Sequence, residues 1–175
     1  AIEIAIFNGT GEGQPLGVLK DSRVTAVITL TPEEYASWNG WHKVKGKMKK
    51  AYRNGSFVMN QSTFDTGIDG MEDKNGQPIA KVNYGTSGKP ERTLLGRTVV
   101  LCDYVASYSA ALAKDTIFAF LFNFKDYVLN TNYSMGVKKY EDNDTDDQIT
   151  KGIMLVDGKV VDKNSLVVVK KIEAV

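Results

Sequence analysis

The sequence predicts an α+β domain, because helix signals lie in its first half and strand signals fill its second half. Thr31-Pro32-Glu33-Glu34 supplies an N-cap residue, a proline at the first helical position and a capping-box glutamate. The continuous apolar run at 117–122 is typical of a strand that is buried on both faces. With 175 residues, 42% of them hydrophobic, the chain can bury one substantial core.

The segment before the first helix signal contains one ambiguous element, a turn and a strand. Ile2, Ile4 and Ile6 alternate with other residues, which favours a strand, although so short a segment also fits the end of a helix. Residues 8–15 are rich in glycine and predict a turn. The β-branched segment at 24–30 predicts a strand.

One helix is predicted to run from Thr31 to a stop signal at Asn54-Gly55. A short buried strand is predicted at 57–59, and Asn60 or Ser62 can cap a second helix after it. Apolar residues recur along both helices at steps of three or four, which predicts one buried face on each. These residues are Tyr35, Trp38, Trp41, Val44, Met48 and Tyr52 in the first helix, and Phe64, Ile68 and Met71 in the second.

The rest of the chain is predicted to alternate between loops and strands. Residues 73–78 and 83–90 are rich in polar residues, glycine and proline, which is typical of turns and loops. Asp157-Gly158 lies between apolar segments and is a strong signal for a hairpin turn. The predicted strands are 99–102, 117–124, 127–129, 135–140, 149–156, 160–161 and 166–172.

The composition argues against most familiar enzyme chemistries. Cys102 and His42 are the single cysteine and the single histidine, so neither an intrachain disulfide nor a Cys/His zinc site can form. The glycines at 9–13 and the Gly88-Lys89 pair do not fit the spacing of nucleotide-binding loops. A net charge of +1 is not that of a dedicated nucleic-acid binder. We therefore predict no catalytic residue, no cofactor and no metal site.

The segment 141–147 carries the highest local charge. Its aspartates match the first ligand positions of a calcium-binding loop, but Asp147 replaces the required glycine and Ile153 the required glutamate. Three interpretations remain: a solvated loop between strands, a looser cation site, or a contact surface for a basic patch of another subunit. The candidate intersubunit contacts are Asp142, Asp144, Asp146 and Asp147.

Basic residues crowd the end of the first predicted helix, where cations interact favourably with the helix dipole. We expect a solvated face there, with phosphate contact as the alternative, and we expect Trp38 and Trp41 to pack in the core. The apolar runs are far shorter than the ~20 residues of a membrane helix. Because the chain begins without methionine, we expect a truncated or processed product. The basic residues are Lys43, Lys45, Lys47, Lys49, Lys50 and Arg53.

Four sequence blocks follow one another along nearly the whole chain. They are AIFNGTGEGQPLGVL at 5–19, FVMNQSTF at 57–64 with DKNGQPI at 73–79, TLLGRTVV at 93–100, and FNFKDYV at 122–128 with the closing segment 157–169. In this order they resemble the carboxy-terminal portion of tailed-bacteriophage major capsid proteins, which have the Hong Kong 97-type capsid fold. The resemblance is weaker at 22–54.

The resemblance implies a specific division of the chain. Residues 1–13 correspond to the end of a spine helix, which favours a helix over a strand at 2–7. Residues 14–133 correspond to an axial domain, a central sheet flanked by two helices. Residues 134–162 correspond to a β-hairpin of the peripheral domain, and residues 163–175 to a last strand that returns to the axial domain.

The resemblance also implies a function. It points to a structural, non-enzymatic subunit that assembles with other copies into pentamers and hexamers of an icosahedral shell around packaged double-stranded DNA. The implied partners are scaffolding and portal proteins, with only non-specific proximity to DNA and no membrane. The implied location is the virion, and the host cytoplasm during assembly, and the fragment alone is expected to be monomeric. The alternatives are an encapsulin-like nanocompartment shell and an unrelated α+β enzyme or ligand-binding domain.

Overall fold

The protein is built on a seven-stranded mixed sheet and a separate two-stranded sheet. The computed structural model describes residues 2–52, 54–84, 90–142 and 147–172. Its strands are β1 (Val27–Leu30), β2 (Ser56–Met59), β3 (Ala80–Asn83), β4 (Glu91–Leu94), β5 (Arg97–Leu101), β6 (Ile117–Phe122), β7 (Tyr127–Asp142), β8 (Asp147–Val160) and β9 (Leu166–Lys171).

The large sheet has the strand order β1-β9-β6-β2-β5-β4-β3. Strand β6 lies in its interior, antiparallel to both β2 and β9, while the β1–β9 and β2–β5 pairs are parallel. Residues 118–122 of β6 are all buried, as the continuous apolar run predicts. The smaller sheet consists of β7 and β8 alone.

The predicted start of the first helix is confirmed by its capping geometry. The Thr31 hydroxyl accepts a hydrogen bond from the Glu34 amide at 3.2 Å, and the Glu34 carboxylate accepts one from the Thr31 amide at 3.3 Å. Asn60, rather than Ser62, caps the last helix. The helices are α1 (Ile2–Asn8), α2 (Pro32–Tyr35), α3 (Trp38–Lys47) and α4 (Gln61–Gly67), with 3-10 turns at Lys50–Tyr52, Phe124–Asp126 and Lys163–Ser165.

The prediction of one continuous helix from Thr31 to Asn54 is wrong. The chain breaks after Tyr35 and restarts at α3 with Ser37 as the N-cap. Trp41 packs back over the break, and its indole N–H donates to the Tyr35 carbonyl at 2.9 Å. This bond satisfies a carbonyl left without a helical partner where α2 ends, and the same packing buries Trp41 completely. Tertiary contact therefore favours the break over helical continuity.

The alternation of Ile2, Ile4 and Ile6 does not mark a strand, because residues 2–8 form α1. The helix turns Ala5 into the protein and leaves Ile2 and Ile4 exposed. The end of α1 is held by the chain that follows the glycine-rich turn, since the Val18 amide donates to the Ile6 carbonyl at 2.9 Å. The helix implied by the capsid resemblance is therefore the correct alternative at 2–7.

The hairpin predicted at Asp157-Gly158 is also wrong, because β8 runs through both residues without a turn. Gly158 lies opposite Leu129 in the β7–β8 register. A Cβ atom added at Gly158 would lie 3.0 Å from both the Leu129 Cδ1 and the Tyr127 hydroxyl. Gly158 therefore leaves room for the neighbouring side chains of Leu129 and Tyr127, and it does not form a turn of the chain. The strand β3 was also missed, because its last residue falls in the segment predicted as a loop.

The core has two layers, one on each face of the large sheet. On one face, Phe57, Leu121 and Val167 pack against Trp41 and Phe64 from the helices. The other face carries a smaller cluster. Its buried members are Val18, Val58, Cys102, Val105, Phe120, Phe122, Val160, Leu166 and Val168, and Phe7 of α1 packs against them.

Candidate functional site

The acidic residues predicted to be intersubunit contacts lie at the end of the small sheet, which we call the arm (β7 and β8). Asp142 ends β7, Asp147 begins β8, and the two are opposite each other in the register. Asp147 is exposed. Asp144 and Asp146 lie outside the described residues. The two strands of the arm therefore end at Asp142 and Asp147, and Asp157-Gly158 lies inside β8.

The arm is long and offers apolar side chains to solvent. Its strands have 16 and 14 residues, and they pair from Tyr127–Val160 to Asp142–Asp147 with one irregularity between Asn132 and Gly136. Exposed apolar side chains of this kind are typical of surfaces that another protein covers. Those described on the arm are Val128, Leu129, Val137, Tyr140 and Leu155.

The base of the arm is held by an ion pair on the neighbouring turn. Arg23 lies 2.5 Å from the Asp21 carboxylate and also donates to the Val160 carbonyl at 2.6 Å. The Asp21 side chain is almost fully buried, and the hydrogen bonds from the Arg23 guanidinium hold the pKa of its carboxyl below the ordinary value. The charged pair thereby links the start of the chain to the last residue of β8.

Backbone contacts complete this anchorage. The Leu16 amide donates to the Gly158 carbonyl at 2.7 Å, and the Tyr127 hydroxyl donates to the Leu16 carbonyl at 3.1 Å. The Val161 amide donates to the Asp126 carbonyl at 2.8 Å. The base of the arm is thus fixed by hydrogen bonds from both of its strands, while Lys138, Tyr140 and Lys151 further along the arm are exposed.

An open groove of about 600 Å³ lies between α1, the glycine-rich turn and the base of the arm. Among the residues that line it, Asp157 carries the only ionisable side chain. The lining therefore contains neither a pair of carboxylates nor a nucleophile beside a base, the arrangements that acid-base and covalent catalysis use. Its lining residues are Ile2, Ala5, Gly11, Gly13, Gln14, Pro15, Asn130, Leu155, Val156 and Asp157.

The single cysteine and the single histidine, Cys102 and His42, do not line this groove. Burial raises the pKa of the Cys102 thiol, which disfavours the reactive thiolate. His42 is exposed, and its ring meets Trp38 edge-on at 5.1 Å. Among the described residues, no group of three histidine, cysteine or carboxylate side chains is placed to hold a metal ion.

Several lysines of the basic segment have partners within the protein. Lys43 pairs with Glu34, Lys45 donates to the Leu95 carbonyl at 2.8 Å, and Lys49 donates to the Asn164 side chain at 3.2 Å. Trp38 is only half-buried, whereas Trp41 is fully buried as predicted. In the part of the chain that the structure describes, no helix is both long and apolar enough to cross a bilayer.

Comparison with protein families decides what this arrangement is. The model of the phage capsid family matches residues 1–171. The chain belongs to this family. Family membership agrees with the resemblance of the four sequence blocks. Among curated proteins, no sequence matches the chain.

Solved capsid structures share the fold of this family member. The chain matches the capsid of an empty GTA particle with a TM-score of 0.69 and that of a native GTA particle with 0.71, each at 17% identity over 96% of this chain. It also matches the holo-SrpI encapsulin complex from Synechococcus elongatus PCC 7942, with a TM-score of 0.63 at 13% identity over 96% of this chain and 59% of the other. The chain covers 60% and 59% of the two GTA capsid chains.

Sequence reasoning found the acidic end of the arm but missed the rest of its surface. Lys138, Tyr140 and Lys151 are exposed on the arm and were not singled out. The alternation of side chains along 135–140 and 149–156 was the available signal. This signal was insufficient, because the position of the turn sets the register and hence which residues of β7 and β8 lie opposite one another.

Proposed function

We propose that this protein is a structural subunit of an icosahedral phage or prophage capsid, a major head protein that self-assembles and encloses double-stranded DNA. The observation that carries the proposal is the match of the phage capsid family over residues 1–171. The agreement of the fold with two GTA capsid structures supports it.

We further propose the division of the chain into domains that the capsid resemblance implies. Residues 1–13 end the spine helix, 14–133 form the axial domain, 134–162 form the peripheral-domain strands, and 163–175 return to the axial domain. The presence of α1 at 2–8 and the separate β7–β8 sheet support this division. The arm itself begins at Tyr127, before the proposed peripheral boundary.

The proposed partners follow from the same function. Other copies of the protein form pentamers and hexamers, scaffolding and portal proteins take part in assembly, and DNA is enclosed without sequence-specific contact. The protein then resides in the virion, after assembly in the host cytoplasm, without cofactor or membrane. Asp142, Asp144, Asp146 and Asp147 are proposed contacts with basic side chains of neighbouring subunits, a role supported by the position of Asp147 at the exposed end of the arm.

Electron microscopy of the full-length gene product tests this function. We expect closed shells of uniform size that protect DNA from nuclease. Purified protein that remains monomeric and carries a small ligand in a deep pocket would instead support an enzyme or a ligand-binding domain.

An encapsulin-like nanocompartment shell is the second candidate function. The match to an encapsulin complex with a TM-score of 0.63 favours it over an unrelated enzyme or ligand-binding domain, since the two kinds of shell share this fold. Mass spectrometry of the contents of purified shells separates the two functions. A single protein cargo without DNA would identify a nanocompartment, whereas nuclease-protected DNA would identify a capsid.

A further inference from the structure

Three alternate rows of paired residues near the end of the arm form a regular pattern of charge. Lys138 lies opposite Lys151, Tyr140 lies opposite Ile149, and Asp142 lies opposite Asp147. Residues opposite one another in an antiparallel pair, and residues two apart along a strand, belong to the same face. These three rows therefore share one face of the arm, which we call the distal face.

The distal face is unfavourable in a single copy of the protein. Lys138 and Lys151 are both exposed and directly opposite, and like charges in that position repel each other. Asp142 and Asp147 are of the opposite charge type and also lie opposite each other in the register. Among the side chains that the structure describes, neither lysine has a carboxylate within 4.0 Å. Between the two charged rows, Tyr140 is 52% exposed although it is a large aromatic residue.

The opposite face at the same level lacks this pattern. Lys139 lies opposite Thr150, and Glu141 lies opposite Gln148, so neither row sets like charges against each other. The two charges on this face have opposite signs and lie two residues apart on β7. The pairing of like charges is therefore specific to the distal face.

The two charged rows are placed symmetrically about the row of Tyr140 and Ile149. Each lies two residues away along the strands, roughly 7 Å at the usual rise per residue. A two-fold axis through the central row, lying in the contact plane and perpendicular to the strands, brings the lysine row of one copy onto the aspartate row of another. A two-fold axis parallel to the strands would instead bring lysines onto lysines.

We propose that the distal face is a self-complementary contact that pairs with the same face of a second copy, with the partner's strands running in the opposite direction. The Lys138–Lys151 row of each copy meets the Asp142–Asp147 row of the other, and the Tyr140–Ile149 rows pack together at the axis. Such an isologous contact uses one patch twice and suits the assembly of identical subunits. The inference rests on the proposed shell function, because it names the partner of the acidic residues.

The contact is small. Three rows of a two-stranded sheet cover far less than the roughly 1,200 Å² or more of a stable protein–protein interface. We therefore expect a weak pair in solution, with strong dependence on salt concentration, since the contact is framed by exposed charges.

Zero-length cross-linking tests the contact in the 175-residue chain. A carbodiimide joins a lysine amine to a carboxylate only when the two groups touch, so it captures weak ion pairs. We mix 15N-labelled and unlabelled chains, cross-link them at low salt and locate the junctions in the dimer by mass spectrometry. We expect mixed-isotope junctions between Lys138 or Lys151 and Asp142 or Asp147. Junctions confined to other residues would overturn the proposal.

Charge reversal supplies a matched control. Lys138→Glu is expected to lower the yield of cross-linked dimer about tenfold, because in a two-fold pair it replaces two attractions by two repulsions. Lys139→Glu makes the same change in charge on the neighbouring residue of the other face, and its dimer yield should stay near that of the wild type. Equal losses in the two variants would indicate a general effect of charge and contradict the proposed face.

Complementation guards against variants that fail to fold. A chain with Lys138→Glu and Lys151→Glu and a chain with Asp142→Lys and Asp147→Lys should each fail to self-associate. Mixed together, they should cross-link as a heterodimer, which requires both to be folded. Absence of the heterodimer while both variants show the circular dichroism of the wild type would overturn the proposal.

The outcome is separable from that of the proposed function. If microscopy shows shells but the junctions lie elsewhere, the pairing of distal faces is wrong and the shell function stands. If the junctions are as expected but the full-length product forms no shells, the pairing stands and the shell function is wrong.

Discussion

Two glycines of α3, Gly40 and Gly46, differ in whether the surrounding structure leaves room for a side chain. A Cβ atom at Gly40 would lie 2.1 Å from the Glu34 carbonyl oxygen, whereas a Cβ atom at Gly46 would meet nothing within 4 Å. Gly40 is therefore required by the close approach of α3 to the end of α2, at the break that the sequence did not predict. Gly46 lowers helix stability without a packing benefit.

Alanine substitutions at these two positions should change stability in opposite directions. We expect Gly40→Ala to lower the free energy of unfolding by about 3 kcal/mol, because backbone atoms cannot move aside easily. Gly46→Ala, the matched control in the same helix, should raise it by about 0.5–1 kcal/mol. Urea denaturation measures both values, and a destabilised Gly46→Ala variant would contradict the account of α3.

Asp21 makes stability depend on pH. The hydrogen bonds from Arg23 lower the pKa of Asp21 from 3.8 in the folded protein, so the ionised carboxylate stabilises the fold. This contribution is fully present above the ordinary pKa and is lost as the pH falls through the lowered folded value. Asp21→Asn should cost about 1 kcal/mol at neutral pH.

The difference in unfolding free energy between the wild type and Asp21→Asn should shrink as the pH falls below about 4, because protonation then removes the same charge from the wild type. Asp69→Asn, the same change at an exposed carboxylate, is the matched control and should alter the free energy of unfolding little at neutral pH. A wild-type advantage over Asp21→Asn that persists unchanged in strong acid would show that the charge is not the source of the stabilisation.

At the level of elements, the arm combines an anchored base with a distal end that repels itself. The base is fixed to Leu16 and Arg23 by hydrogen bonds, while Lys138 and Lys151 oppose each other further out. The stability of a single arm would therefore be higher with opposite charges in the Lys138–Lys151 row, whereas the proposed contact between copies needs both lysines. A change that relieves the repulsion within one arm should weaken the pairing of two arms.

Lys151→Glu should stabilise the isolated arm, because it converts a like-charge pair into an attractive one worth about 0.5 kcal/mol. Hydrogen exchange of the β7 and β8 amides should slow accordingly. Lys159→Glu makes the same change in charge on β8 but lies opposite Val128, and it should not slow exchange. Equal protection in both variants would indicate that net charge, rather than the cross-strand pair, controls the arm.

At the scale of the whole molecule, the chain forms a seven-stranded sheet but spans only part of the length of the capsid chains that it matches. It covers 60% of the empty GTA capsid chain. Closed shells require several extensive interfaces per subunit, and the described surface offers one anchored arm and an open groove beside α1.

We expect the 175-residue chain, purified alone, to be a monomer or a weak oligomer that forms no closed shells. The physical reason is that the distal face is too small to hold subunits together without further contacts. Multi-angle light scattering at increasing protein concentration measures this directly. Particles of shell size from this chain alone would contradict the expectation.

Much of the local structure was predictable because it depends on residues close in sequence. The capping box at Thr31 and the apolar run of β6 are each defined by residues adjacent in sequence, and both predictions are confirmed. Asp142 and Asp147 could be named as candidate contacts because charge is visible in the sequence, and their contact role stays a prediction. The lysine row was not found, because its meaning depends on a partner strand.

What the sequence by itself determined is the class of fold, the position of the inner strands β2, β5, β6 and β9 of the large sheet and, through four ordered blocks, the capsid family. What only the tertiary structure decided is where a predicted helix breaks and where a sequence that is typical of a turn lies in a strand. Packing of Trp41 and Gly40 breaks one predicted helix, and contacts with Tyr127 and Leu16 keep Gly158 in a strand. Helix and turn signals are short-range, whereas the free energy that selects among them comes from burial of residues distant in sequence.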